Sequence, residues 1–203
     1  MHRLITIPFV LASPVGYDSP DTARQIVVAQ SEFSEIDVAN QNETFEELLT
    51  GSESSIEAVL TSPDDFNPPV LYALSRALFE SGREEEAMFW FYTGQLRARS
   101  DANKSLDVSA RAAVDVLNRE FGTPINQYAF GDIERLRSTV EAVVARDRAA
   151  SRSYDPRWIL LHGMDAFSGE TIRFEPESQW LEIDEQTRVD YLNGFYGALE
   201  SLQ

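Results

Sequence analysis

Residues 84–99 read EEEAMFWFYTGQLRAR, four aromatic side chains in a row inside a stretch otherwise composed for a helix. At about 100° per residue, Phe89, Trp90, Phe91 and Tyr92 point in four directions and cannot share one buried stripe. Such a helix is either enclosed on nearly all sides by other elements or displays at least one ring to a partner. Phe91 aligns with Ala87 on the face that would pack inside a helical pair. Met88, Tyr92 and Gln95 form a neighbouring face, and Trp90, with Arg97, points elsewhere.

The preceding stretch, SPDDFNPPVLYALSRALFESG, supplies the first neighbour. Asn67 stands before a proline pair suited to the first turn of a helix. Leu71, Leu74, Leu78 and Phe79 recur at helical spacing until Gly82 ends the run. Glu84, Glu85 and Glu86 then complement the positive end of the second helix dipole, with Arg97 and Arg99 placed toward its negative end. A connection of a few residues around Gly82 requires the two helices to fold back as an antiparallel hairpin.

Leu71, Leu74, Ser75, Leu78, Gly82, Ala87, Phe91 and Gly94 resemble a single degenerate tetratricopeptide or Sel1-type repeat over residues 68–101. The resemblance implies small residues that let paired helices approach and large ones that fill the gaps. One repeat length further on, Val116 and Phe121 stand where glycine and alanine would recur, so no array is expected. FWFYTGQLRAR followed by INQYAFGD also resembles uncharacterised small helical bacterial proteins, some of them like immunity proteins. That resemblance implies neutralisation of a toxin by binding. Sixteen arginines against one lysine, Lys104, fit a bacterial coding bias.

Elsewhere the pattern predicts an irregular arm over 1–42 and short helices in ETFEELLTG, closed by Gly51, and SSIEAVLTSP, capped by Ser54 or Ser55. A helix ending at Gly122 follows, then a packed loop TPINQYAF, then a long helix from Gly131 to about Ala150 capped by Asp132. After Pro156 a helix begins. TIRFEP and QWLEID read as short strands, with TIRF paired to the N-terminal LITIPFV run, and a terminal amphipathic helix carries Val189, Leu192, Phe195, Tyr196, Leu199 and Leu202. The expected fold is mainly α in one domain, a helical bundle around the hairpin, with a helical core over 43–150 and a mixed part over 151–203. A small β element is expected from the N-terminal and 170–183 segments.

The formal net charge is −17, and it is uneven: residues 1–67 carry 12 acids against 2 bases, and residues 156–203 carry 9 against 3. Long-range repulsion opposes nucleic-acid phosphates and anionic membrane surfaces. The excess acid either serves solubility or captures a basic partner. Without cysteine there is no disulfide, thiolate nucleophile or thiolate metal site. MHRLITIPFVLASPVG has the outline of a secretory signal but is short and broken by Pro8, so a buried strand over 4–11 in a cytoplasmic protein is the expectation, and a periplasmic one the alternative. No apolar run is long enough to span a bilayer.

Catalytic chemistry finds little support. His2 lies at the terminus, and His162, within WILLHGM, reads as a hydrogen-bonded packing histidine. No metal-ligand spacing, phosphate cradle or cofactor motif is present, and Asp64 and Asp65 read as a turn leading into a helix. Surface recognition remains, because tryptophan, tyrosine and arginine dominate binding hot spots. The residues expected to meet a protein partner are Trp90, Tyr92, Arg97, Arg99, Asp64, Asp65 and Trp158. The expectation is a non-catalytic protein that neutralises or sequesters a basic or neutral protein, with a chaperone or adaptor for secreted proteins as runner-up and a carboxylate-based enzyme third.

Overall fold

The computed structural model describes residues 31–168 and 171–201. Among them lie eight α-helices and no strand. A 3-10 turn at Ser31–Glu35 leads to α1 (Ala39–Leu49), and Gly51, at φ 76°, supplies the left-handed residue that closes it. α2 (Glu53–Thr61) is capped by Ser52 rather than Ser54 or Ser55: the Ser52 hydroxyl accepts from the Ser55 N–H. The arm expected up to residue 42 therefore already turns helical at Ala39.

The hairpin stands as its spacing predicts. α3 (Pro68–Glu80) begins with the Asn67 side chain accepting from the Val70 N–H, and Gly82, at φ 81°, reverses the chain into α4 (Glu84–Lys104). The small residue Gly94 lets the two helices close up, since a Cβ there would sit 3.2 Å from Tyr72 and 3.3 Å from Leu71 Cβ. α4 runs past Arg99 to Lys104, so Arg97 and Arg99 are interior to the helix and do not cap its dipole.

A 3-10 turn at Val108–Arg111 leads into α5 (Ala112–Ala129), and Asp132 caps α6 (Ile133–Ala149) by accepting from the Arg135 N–H. Gly122 does not end α5, and TPINQYAF is not a loop; the helix continues through Pro124 to Ala129. The reason is packing. The missing Cβ of Gly122 admits the Phe91 ring, whose Cζ would lie 3.1 Å from it, and Phe121, Ile125 and Ala129 bury the turns beyond.

The chain then forms a 3-10 turn at Pro156–His162, the short α7 (Asp165–Ser168) and the long α8 (Glu177–Glu200). QWLEID is the first part of α8, not a strand. TIRFEP is extended but makes a single bridge, Phe174 to Ser105, with the Leu106 N–H donating to the Arg173 carbonyl and the Glu175 N–H to the Lys104 carbonyl. Its expected pairing with the N-terminal run lies outside the described residues, as do His2 and the signal-or-strand alternative.

α4 is the axis of the bundle, packed against α3, α5, α6 and α8. Trp90, Phe91 and Tyr92 are buried and Phe89 is half-buried, so enclosure resolves the aromatic run. Phe91 meets Tyr72 edge-on at 5.3 Å. Among the described residues no helix is long and apolar enough to cross a membrane.

Candidate functional site

The structure scatters the seven residues expected at a partner surface. Trp90, Tyr92, Arg97 and Trp158 are interior, so their reading as displayed groups is corrected; Arg97 is 0% exposed and Trp158 2%. Tyr92 donates its hydroxyl to Asn126 Oδ1 at 2.9 Å, and burial pushes its pKa up to about 12. Arg146 lies over the Trp90 ring at 5.1 Å. Asp64, half-buried in the 3-10 turn Pro63–Asp65, accepts from Arg97 at 2.5 Å and from Arg146 at 3.0 Å. Arg99 and Asp65 remain exposed, Arg99 over the Tyr191 ring at 5.2 Å and Asp65 accepting from the Ser153 hydroxyl.

Arg97 belongs to a buried ion cluster that the apolar pattern conceals. Asp147 accepts from Arg97 at 2.9 Å, from Arg152 at 2.6 Å and from Arg188 at 2.8 Å. Asp184, on α8, takes Lys104 at 2.7 Å and Arg152 at 3.1 Å. Asp101 lies 3.3 Å from Lys104 and accepts from the Tyr154 hydroxyl at 3.0 Å and from Trp158 Nε1 at 2.9 Å. Burial alone would lift the Asp147 carboxyl, yet Arg152, Arg97 and Arg188 outweigh it and hold it far below the usual carboxylate range. At Asp101 burial wins over Lys104 and Arg152, and its pKa is raised. Every charge in the cluster has a partner, which is the arrangement of a structural tie.

Trp158 joins this cluster to a pocket. While its indole N–H reaches Asp101, its ring lines an apolar cavity of about 190 Å³ between α1, α5 and the 3-10 turn Pro156–His162. Val38 and Phe45 form the α1 wall, Val116 and Leu117 the α5 wall, and Leu161 and His162 lie beside Trp158. Gln41 is locked in place: its Nε2 donates to the Asp65 carbonyl at 3.0 Å and its Oε1 accepts from the Asn67 N–H at 2.8 Å.

His162 is the unusual group. It meets Trp158 edge-on at 5.6 Å but makes no hydrogen bond to another described residue, so it packs there without the partner expected for it. Its apolar surroundings push the imidazole down to about 4, and it is neutral at pH 7. Among the described residues no carboxylate lines the pocket, and no group of three or more histidine, cysteine, aspartate or glutamate side chains is placed to hold a metal. A second, more open depression, edged by Asp155, Arg157, Glu177 and Trp180, mixes polar and apolar groups about equally.

Apolar periodicity misses the pocket because its α1 wall mixes two classes. Val38, Gln41, Asn42 and Phe45 follow the i, i+3, i+4, i+7 rule of an inward face, with amides in the two middle positions. Polar residues on an inward stripe are the signal that marks the cavity. No protein-family model, no curated protein and no solved structure matches this chain.

Proposed function

We propose that the protein is a non-catalytic binding protein that sequesters or neutralises a basic protein partner, in the manner of a toxin-neutralising immunity protein. The observation that carries the reading is the acidic face of residues 31–67, set against a buried ion cluster that cancels its own charge. The ion cluster pairs four cations, Arg97, Lys104, Arg152 and Arg188, with Asp64, Asp101, Asp147 and Asp184. Four cations against four acids cancel, so the −17 excess of the chain lies elsewhere. Residues 31–67 hold ten acids and no base, and of these Asp64 is neutralised by Arg97 and Arg146. Such a surface raises the encounter rate with a cationic protein and disfavours acidic ones.

The absence of any carboxylate beside His162 weighs against a general acid and base working in the pocket. The test is capture from the native host with the tagged full-length chain at two salt concentrations. Recovery of one basic protein in fixed stoichiometry, lost at high salt and inactivated in the complex, is expected. An unfolded segment as the retained species would favour a chaperone, and recovery of no basic protein would refute the reading.

A further inference from the structure

The pocket between α1 and α5 has a size, a polarity and a rim that together define an occupant. A volume of about 190 Å³ exceeds the roughly 150 Å³ of a cavity known to hold one benzene ring. It is too small for most drug-sized ligands, which need about 300 Å³ or more. Its walls are apolar, and its one group without a hydrogen-bonding partner among the described residues is the neutral His162 imidazole. Gln41 is already committed at both ends of its amide. An occupant that is an aromatic ring with one hydroxyl fills the volume and satisfies the imidazole, whereas a purely apolar ring leaves it unmet.

The rim decides between a free phenol and a protein side chain. Exposed Asp37, just before α1, and exposed Glu46 on it border the lining stripe in sequence, one turn before Gln41 and one turn after Asn42, and exposed Glu43 lies beside Asn42. Across the mouth, α5 and the residue before it carry both signs, Arg111 and Arg119 against Asp115 and Glu120. The acid excess is therefore confined to one side of the opening, where it meets residues flanking an inserted ring and does nothing for an isolated neutral molecule.

We infer that this pocket receives a tyrosine side chain presented by a cationic segment of the protein partner, with the phenol hydroxyl bonded to His162 and the flanking bases on the α1 acids. The inference rests on the preceding reading and names its anchor.

The test follows the Trp158 indole and His162 imidazole resonances of the full chain by NMR while adding acetyl-Arg-Tyr-Arg-amide, acetyl-Glu-Tyr-Glu-amide, p-cresol or toluene. Both resonances should move. The arginine peptide should bind at least about tenfold more tightly than the glutamate peptide at low salt, with the gap shrinking near physiological ionic strength. Ala112→Trp, at an exposed position on the mouth, should abolish the shifts without lowering the melting temperature. His162→Phe should erase the preference for p-cresol over toluene.

Peptide binding that leaves Trp158 and His162 unmoved, or that survives Ala112→Trp, would overturn the pocket assignment while the acidic-surface reading stands. Equal affinity for both peptides and p-cresol would overturn it in favour of a free phenol. A seated arginine peptide with no basic protein captured from the host would support the pocket chemistry and refute the function proposed above.

Discussion

Arg97 Nε meets Asp147 Oδ1 at 2.9 Å with neither side chain exposed, joining the centre of α4 to the end of α6. The two residues differ in what else they hold. Asp147 also serves Arg152 and Arg188, whereas Arg97 adds the Asp64 carboxylate and the Pro63 carbonyl. Removing Asp147 therefore takes the shared acceptor from three guanidiniums, which keep Asp64, Asp184 and Glu185 between them nearby, and removing Arg97 leaves Asp147 with two cations. Asp147→Ala is expected to lose about 3–5 kcal/mol, the cost of breaking a buried ion pair from one side. Arg97→Met should lose less, because methionine fills the volume and Asp147 remains paired. Urea denaturation of both variants checks the order; a smaller loss for Asp147→Ala would show that Asp147 is not the hub.

The response to pH should come in two stages. An unfolded histidine takes its proton near 6.5, while folded His162 resists until about 4. Its contribution is complete above pH 6.5 and is lost as pH falls toward 4, by at most about 3 kcal/mol. Asp147, held low in the fold, contributes above its ordinary value of 3.8 and loses that contribution below it. Asp101, raised by burial, acts in the opposite sense above 3.8 and so blunts the first stage. His162→Phe should remove the first decline in denaturation midpoint and keep the second. A decline between pH 6.5 and 4 of the same size in His162→Phe as in the wild type would contradict the lowered His162 imidazole.

Two glycines should respond oppositely. Gly122 faces Phe91 and Asn126, each 3.1 Å from where a Cβ would stand, so Gly122→Val is expected to cost about 1–3 kcal/mol through overpacking. Gly197 on α8 has nothing within 4 Å of that position, so Gly197→Ala should gain about 0.5–1 kcal/mol from helix propensity alone. Thermal melts of the two variants, moving in opposite directions, check both.

The acidic rim can be altered without touching the core. Glu43→Lys with Glu46→Lys, both exposed on α1, should leave stability within about 0.5 kcal/mol. The pair should weaken binding of the arginine-flanked tyrosine peptide and flatten its salt dependence. Titration at two ionic strengths checks this; unchanged affinity would place the cationic contacts away from α1.

What could be read beforehand followed a physical divide. The α3–α4 hairpin was legible because its signals are local: Asn67 before two prolines, leucines at helical spacing, Gly82 at the reversal. α6 announced itself through Asp132 and a row of valines. The first half of α8 was not legible, because the residues that turn it inward are Asp184, Thr187 and Arg188, polar groups at helical spacing that an apolar pattern passes over. α5 beyond Gly122 was hidden for another reason: a glycine that ends helices in isolation is here the recess for Phe91, supplied from elsewhere in the chain. The same holds for the proposed site. His162 could be noticed as one of two histidines, but its separation from any hydrogen-bonding partner is a property of three elements meeting.

The placement of Asp184 has a bearing on biosynthesis. Lys104 and Arg152 are translated well before the carboxylate that lies between them. A nascent polypeptide halted short of that position has Lys104 without its nearest carboxylate, Arg152 with one acceptor fewer, and Ser100 lacking the acceptor of its hydroxyl. Such a fragment is expected to stay loosely assembled and open to proteases, so quality control would clear aborted copies before they could occupy a partner.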